Sequence, residues 1–407
     1  MKAMWPAWIV LCVLVLLPVG RASEAFIAIG AITGLILAWR ERAQLRSHAG
    51  VRLAIVLFGC YWLAALISAP GAVMPEKSWS TVAALLRFLP FAVFACLALR
   101  KTGWWSRLSD ACAAVVLLWL LDAWVQILTG WSIAGAETAD RLSGIFGAGN
   151  LKLGPVLAVL SPFVFVAARR RWGWRGLAVA FVFQLMPILF AGSRSGWIMY
   201  ALVALAFAWI QTRAPLRFAA WAFAAACAAV LGIAVAWQHS GRFDARFDRT
   251  LLALQGSEHA LDTASAGRLR IWTTAARMFA AHPVTGVGVR GFRYTYPQYA
   301  QAGDAFVDAQ TDEGAYHAHQ IVLEVLSETG IIGLALWLIG AFCAIRAWSR
   351  ASAHARERAL APVLALAVMT FPLNTHLAFY SAWWGLLFWW LIALYCAALA
   401  ADDDARA

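Results

Sequence analysis

Tyr316-His-Ala-His-Gln-Ile-Val-Leu-Glu-Val-Leu-Ser-Glu-Thr-Gly330 joins a long polar stretch to an apolar run that continues to Ile345. A bilayer offers no water to backbone N–H and C=O groups, so a run of this length and composition reads as a membrane helix. Ionisable side chains at such a boundary are costly to desolvate, which makes this threshold the first place to expect a functional site. Upstream, roughly Gln238 to Ala315 is the only long hydrophilic stretch in the chain. It holds Arg242, Arg246, Arg249, Arg268, Arg270, Arg277, Arg290 and Arg293.

The rest of the chain repeats the apolar pattern. Hydrophobic residues make up 63% and charged residues 13% of the 407, against about 25% charged in soluble domains. Apolar segments of near-spanning length lie near 5–19, 25–39, 53–70, 79–99, 111–129, 153–168, 176–191, 196–212, 218–237, 320–345, 359–373 and 381–400. Strand-like alternation is absent, so the reading is all-α: a polytopic membrane bundle of about 12 transmembrane helices with one long outer loop. Three regions follow. These are N-terminal transmembrane helices over 1–237, a periplasmic loop over 238–316, and C-terminal helices with a short acidic tail over 317–407.

Orientation follows from the short loops, where Lys and Arg mark the cytoplasmic side. One set of alternate loops is basic throughout, with Arg40, Arg42, Arg46, Arg100, Lys101, Arg169, Arg170, Arg171, Arg213, Arg217, Arg346 and Arg350 among its residues. The opposite set carries Arg21, Lys77, Arg141, Lys152 and Arg194. Both termini are therefore expected in the cytoplasm and the long loop outside. The first segment runs into Pro18-Val-Gly-Arg21 with no small-x-small cleavage site and reads as a retained helix. Much of the net charge of +12 is this topogenic charge, so nucleic-acid binding is not indicated. All seven cysteines sit in or beside apolar segments, which gives no disulfide framework and no zinc spacing.

Within the long loop, residues 266–281 read as an amphipathic helix stopped by Pro283. Ile271, Ala275, Met278 and Phe279 share one face, able to lie on the membrane or to pack on the bundle. Arg268 shares the buried side with Ile271 and Trp272, whereas Arg270 and Arg277 point elsewhere. An inward arginine beside the free N–H groups of a first helical turn makes an anion site; the alternative is an arginine that snorkels to headgroups. Gly286-Val-Gly-Val-Arg-Gly291 matches the dinucleotide fingerprint in letters only. It lacks the strand before and the helix after, and reads as a glycine-rich turn. Gly192-Ser-Arg-Ser-Gly196 places Arg194 at the bilayer edge with helix-breaking neighbours, suited either to a phosphate or to a plain hairpin.

His317 and His319 are two residues apart, so on a helix they point to different sides, with His319 on the face of Leu323 and Leu326. Such an imidazole can accept a hydroxyl proton or donate to a phosphate oxygen. A metal ligand, with Asp312 and Glu313, and an interfacial cap are the competing readings. Arg87 and Asp122 lie deep in the bilayer and are expected to form a mutual salt bridge or to pair with backbone. Arg141 and Lys152 flank another outer loop, where they either complete a cationic pocket or serve as surface charges; Arg290 is a further candidate.

Gly192-Ser-Arg-Ser-Gly196, Gly267-Arg-Leu-Arg-Ile-Trp272 with Pro283 and Gly286-Val-Gly288, His317-Ala-His-Gln320, Leu323-Glu324 and Glu328-Thr-Gly-Ile-Ile-Gly333 together resemble the O-antigen ligase and polymerase superfamily of bacterial inner-membrane glycosyltransferases. The resemblance implies a metal-independent and cofactor-free transfer of a glycan from a polyprenyl (undecaprenyl) diphosphate donor to lipid A-core in the periplasmic leaflet, as part of lipopolysaccharide biosynthesis. By the same resemblance Arg194 and Arg268 neutralise the donor diphosphate and His319 activates the acceptor hydroxyl, with His317, Arg141, Lys152 and Arg290 as secondary candidates. Gln320 stands where many relatives have Asn. No catalytic carboxylate pair is selected by spacing, so direct displacement with inversion is expected. A polymerase, a protein O-oligosaccharyltransferase of the same superfamily, and a lipid-linked glycan transporter built around Arg87 and Asp122 remain the alternatives.

Overall fold

The computed structural model describes residues 4–43, 45–99, 104–136, 141–239, 265–308, 310–375 and 377–400, with side chains of 235–239 excepted. Arg100, Lys101, Arg242, Arg246, Arg249 and the acidic tail from Asp402 lie outside these residues. The chain is an all-α, multi-pass membrane protein. Its helices are α1 (Trp5–Val15), α2 (Ala22–Arg40), α3 (Ala49–Ser68), α4 (Pro75–Leu85), α5 (Phe88–Ala98), α6 (Trp105–Thr129), α7 (Leu153–Phe190), α8 (Arg194–Thr212), α9 (Pro215–His239), α10 (Arg268–Ala281), α11 (Phe292–Tyr299), α12 (Ile321–Arg350), α13 (Ala353–Met369) and α14 (Ala382–Leu399).

Among the described residues nine helical stretches are long and apolar enough to cross a membrane. One of them, α7, has 38 residues and is two crossings. Gly173 breaks it at φ 62°, ψ −146°, and a Cβ on Gly176 would meet the Ala168 carbonyl oxygen at 2.7 Å. Residues eight apart on a straight helix are separated by about 12 Å, so the chain turns back here, amid Arg169, Arg170, Arg171 and Arg175. With the shorter α1 and α13, every predicted apolar segment is helical in the structure.

The helix apolar on all sides is α14, and accordingly it is the buried centre of the bundle, packed by α3, α5 and α13. Trp390 and Tyr395 find carbonyls for their polar tips, whereas the buried Trp389 Nε1 makes no hydrogen bond among the described residues. Trp390 Nε1 donates to Val10 O at 2.9 Å and Tyr395 Oη to Ala344 O at 2.7 Å, which satisfies the only polar atom each aromatic buries. The outer helices expose Leu128, Leu216, Phe223 and Val230, as expected where acyl chains are the solvent.

Arg87 and Asp122 do not pair. The Arg87 guanidinium donates to the Ala84 carbonyl and stacks 4.5 Å over Phe88. Asp122 Oδ1 accepts the backbone N–H of Ile133 at 2.7 Å, and Gln126, one turn on, accepts from Ser143 N and Gly144 N. Of the two expected arrangements, pairing with backbone is the one adopted, and the acid pins the 131–147 loop onto α6.

The amphipathic helix expected over 266–281 is α10. Ile271, Ala275 and Met278 are buried with Thr274, whereas Phe279 is only partly covered. Its apolar face packs on the protein, in a small second core with Val287, Phe292, Tyr296, Ala315 and Ala318. That core seats the polar segment on the first turns of α12.

Candidate active site

The site is assembled by a backbone crossing. Gly330 interrupts α12 at φ 65°, ψ −165°, and the 283–288 segment lies across the break. Gly286 has φ 67°; a Cβ on it would sit 2.4 Å from Glu328 C, and one on Gly330 would sit 2.2 Å from Val284 O. Only glycine meets both the positive φ and the contact distance at these two positions. The exposed carbonyls and amides of the broken helix are taken up by the crossing strand: Val287 N donates to Ser327 O at 2.9 Å, Gly288 N to Glu328 O at 3.0 Å, and Ile331 N to Pro283 O at 2.9 Å. Ser68 Oγ accepts the N–H of Val289 and Ser78 Oγ donates to its carbonyl, tying the crossing to α3 and α4. The glycine-rich stretch is therefore a crossing turn, not a nucleotide loop.

The crossing delivers Arg290 to the buried side of α12. Its backbone N–H, on a residue at φ 63°, donates to Glu328 Oε2 at 2.9 Å. Its charge acts on Glu324, Glu328 and His317.

Three further arginines come from separate segments. Arg194 is the first residue of α8; Ser193 Oγ caps that helix by accepting Gly196 N at 3.3 Å, so one of the backbone donors expected to be free there is already used. Arg268 is the first residue of α10, after Gly267 at φ 75° and with no side-chain cap. Burial pulls its guanidinium down to about 10, and the charges of Arg194 and Arg141 add to the effect. Like charges that depress one another share a local positive potential, the electrostatic condition for holding a polyanion. Arg270 and Arg277 are exposed, as their register predicts. The Lys152 ammonium sits 4.6 Å over the Trp383 ring.

The histidines are not on a helix. Gln320 caps α12, its Oε1 accepting Leu323 N at 2.6 Å. His319 stands before the cap in the left-handed region, φ 53°. The two rings, expected on opposite sides, instead lie with centroids 3.9 Å apart, because the helical spacing that would separate them starts two residues later. His319 Nδ1 is 2.5 Å from the Thr375 carbonyl oxygen. A carbonyl only accepts, so Nδ1 carries the proton and Nε2 keeps its lone pair. His317 Nδ1 accepts the backbone N–H of His319 at 3.2 Å. Burial holds both imidazoles down to about 3, with Arg290 and Arg268 adding at His317, and His317 and Arg268 at His319. Both rings are neutral at neutral pH, and His319 is a base by its Nε2.

Asp312 and Glu313 are not gathered with the histidines. Glu313 pairs with Arg293, and Asp312 is exposed; among the described residues no three His, Cys, Asp or Glu side chains group as a metal site.

Two acids absent from the sequence-derived site complete it. Glu324 is fully buried, Oε1 accepting Phe379 N at 2.7 Å and Oε2 lying 3.6 Å from His317 Nδ1. Glu328 is equally buried and holds Arg290 and Phe292 by their N–H groups. Their signal was two carboxylates four residues apart in an otherwise apolar run, which places both on one helix face. Phe379 and Tyr380 also line an apolar cavity of about 120 Å³, together with Tyr61, Trp337, Gly340 and Trp389.

The family model described as O-antigen ligase, Wzy_C, matches residues 179–338. The matched span contains Arg194, Arg268, Arg290, His317, His319, Glu324 and Glu328, and ends within the second leg of α12; Arg141 and Lys152 precede it. No curated protein matches the chain. Over residues 179–338 the chain is thus similar to the O-antigen ligase family.

Proposed function

We propose that the protein transfers a glycan from an undecaprenyl (polyprenyl) diphosphate carrier to the sugar of a lipid A-core acceptor, as an O-antigen ligase of a bacterial inner membrane. One observation carries the reading: Arg194 and Arg141, from two other segments, both act electrostatically on Arg268, and Arg268 also acts on the His317–His319 pair. Fixed cations beside a neutral, tautomerically defined base are what displacement at a glycosyl diphosphate requires.

In the proposed step the acceptor hydroxyl oxygen attacks the anomeric carbon while its proton passes to His319 Nε2. The carbon–oxygen bond to the carrier breaks, its electron pair stays on the diphosphate, and Arg194 and Arg268 stabilise that charge. A diphosphate leaves as an anion, so no acid is needed on that side. A single displacement inverts the anomeric carbon. The arginines supply the positive charge, and the reading is metal-independent and cofactor-free. The apolar cavity lined by Phe379 and Tyr380 suits the hydrocarbon part of a lipid-linked substrate. The distribution of Lys and Arg among the short loops supports a periplasmic site with both termini in the cytoplasm.

The transporter reading would make Arg87 and Asp122 central; each instead bonds to nearby backbone and the two do not pair. The deciding experiment incubates the purified protein in liposomes with undecaprenyl diphosphate-linked glycan, with and without lipid A-core. Glycan on lipid A-core supports the ligase. Donor elongated without acceptor makes it a polymerase of the same superfamily, and glycan moved across the bilayer without bond exchange makes it a transporter.

A further inference from the structure

His317 and Glu324 face each other through two atoms that are both acceptors. His317 Nδ1 takes the His319 N–H at 3.2 Å, and Glu324 Oε2, 3.6 Å away, is buried and makes no hydrogen bond among the described residues. A lone pair beside a carboxylate oxygen in a dry site is repulsive unless one proton lies between them, and because Nδ1 already accepts the His319 N–H that proton sits on the carboxyl. Glu324 also has a second grip: Oε1 accepts from Phe379 N and the Tyr380 N–H is bonded to the same carboxyl. Those residues end the loop whose Thr375 carbonyl fixes the His319 tautomer.

We propose that Glu324 is a positioning residue for the transfer reaction, sharing one proton with His317 and holding the 375–380 loop, so that His319 presents Nε2 as the free base. The inference rests on the glycosyl-transfer reading above and adds to it a residue that does not touch substrate. Groups facing the pair are Arg290 from the crossing segment, Glu328 on the same helix, Tyr61 on α3 and Tyr380 in the loop. Arg290 supplies the compensating charge for the carboxylate form, and the two tyrosines close the site toward the membrane. The shared proton gives the histidine pair a counter-group when His319 takes up the acceptor's proton, in the manner of carboxylates behind ligating or catalytic imidazoles.

The test uses the full-length protein in liposomes with the undecaprenyl diphosphate-linked glycan and lipid A-core. Glu324→Gln keeps the length and an oxygen for Phe379 N–H, and replaces the shared proton with a fixed amide donor. The expected result is an unchanged melting temperature in detergent, a donor KM within about twofold of wild type, and kcat lower by about 10- to 100-fold, the range seen when outer partners of functional histidines are removed. His317→Phe should lose kcat to a similar degree. The double variant should lose no more than either single one, because both remove the same shared proton. A folded Glu324→Gln protein with kcat within about twofold of wild type overturns the inference, as do multiplicative losses in the double variant. If Glu324→Gln does not fold, His317→Phe alone decides by the same kcat criterion. His319→Ala keeps the two claims apart: transfer lost there but intact in Glu324→Gln sinks only the positioning role, whereas transfer retained in His319→Ala sinks the glycosyl-transfer reading itself.

Discussion

His319 Nδ1 donates to the Thr375 carbonyl at 2.5 Å across 56 residues of chain, and this one bond decides which ring nitrogen is left to act. Nε2 is the only basic atom of the pair without a fixed partner bond of this kind, and it stands in the field of Arg268. The chemistry proposed for the site depends on that tautomer.

The pH dependence follows from the sign of the shift. Burial places both histidines at about 3, below the ordinary 6.5, so the neutral, active form is complete well below neutral pH. The kcat/KM profile, which reports the free enzyme, should stay flat from about pH 8 to about pH 5. An acid limb centred near 6.5 would contradict it. Unfolding restores the ordinary proton affinity, so stability should fall as pH drops below 6.5, where the unfolded chain binds protons the folded one does not.

Arg268 and Arg194 should act at the donor. Replacing either by Ala is expected to reduce transfer by about 10²- to 10³-fold, the usual cost of removing one charge-stabilising donor. Arg268→Lys should recover only part, since an ammonium lacks the planar fork that grips a phosphate. Titration with donor alone, followed by transfer rates, separates affinity from turnover; full activity in Arg268→Ala would remove it from the site.

Gly330→Ala tests the crossing. The new Cβ meets Val284 O at 2.2 Å and the residue keeps φ 65°, so a loss of at least about 1–3 kcal/mol is expected from strain alone. Thermal unfolding in detergent measures it. Activity should fall further than stability, because the shift displaces Arg290 from Glu328.

Lys152→Met should leave transfer within about threefold of wild type, since the ammonium is held over the Trp383 ring. Arg87→Met should do the same if the protein is not a transporter. A hundredfold loss in either would redraw the site.

The bundle was legible because membrane helices announce themselves by length and composition, and each predicted apolar segment is found. The amphipathic helix expected over 266–281 is Arg268–Ala281, readable because a single apolar face repeats at helical spacing. The site was legible only in part. Arg194, Arg268 and His319 stood out as polar residues at membrane boundaries. Their meeting depends on the Gly286–Gly330 crossing, a long-range contact that local spacing does not encode. The His317–His319 arrangement was misread because a Gln N-cap is an uncommon helix start, so the helix seemed to begin earlier. Glu324 and Glu328 were passed over as part of a helix face, although two acids four apart in an apolar run need a buried cation or donors to exist there. Of the two expectations for Arg87 and Asp122, pairing with backbone is found and the mutual salt bridge is not, because depth in the bilayer says nothing of position around the bundle.

The most direct measurement is glycan transfer from undecaprenyl diphosphate-linked donor to lipid A-core by His319→Ala, with donor binding measured on the same preparation. The account predicts donor affinity within a few-fold of wild type and transfer lower by at least about 10²-fold, the share expected of a general base. Transfer at the wild-type rate in a folded His319→Ala protein would contradict it.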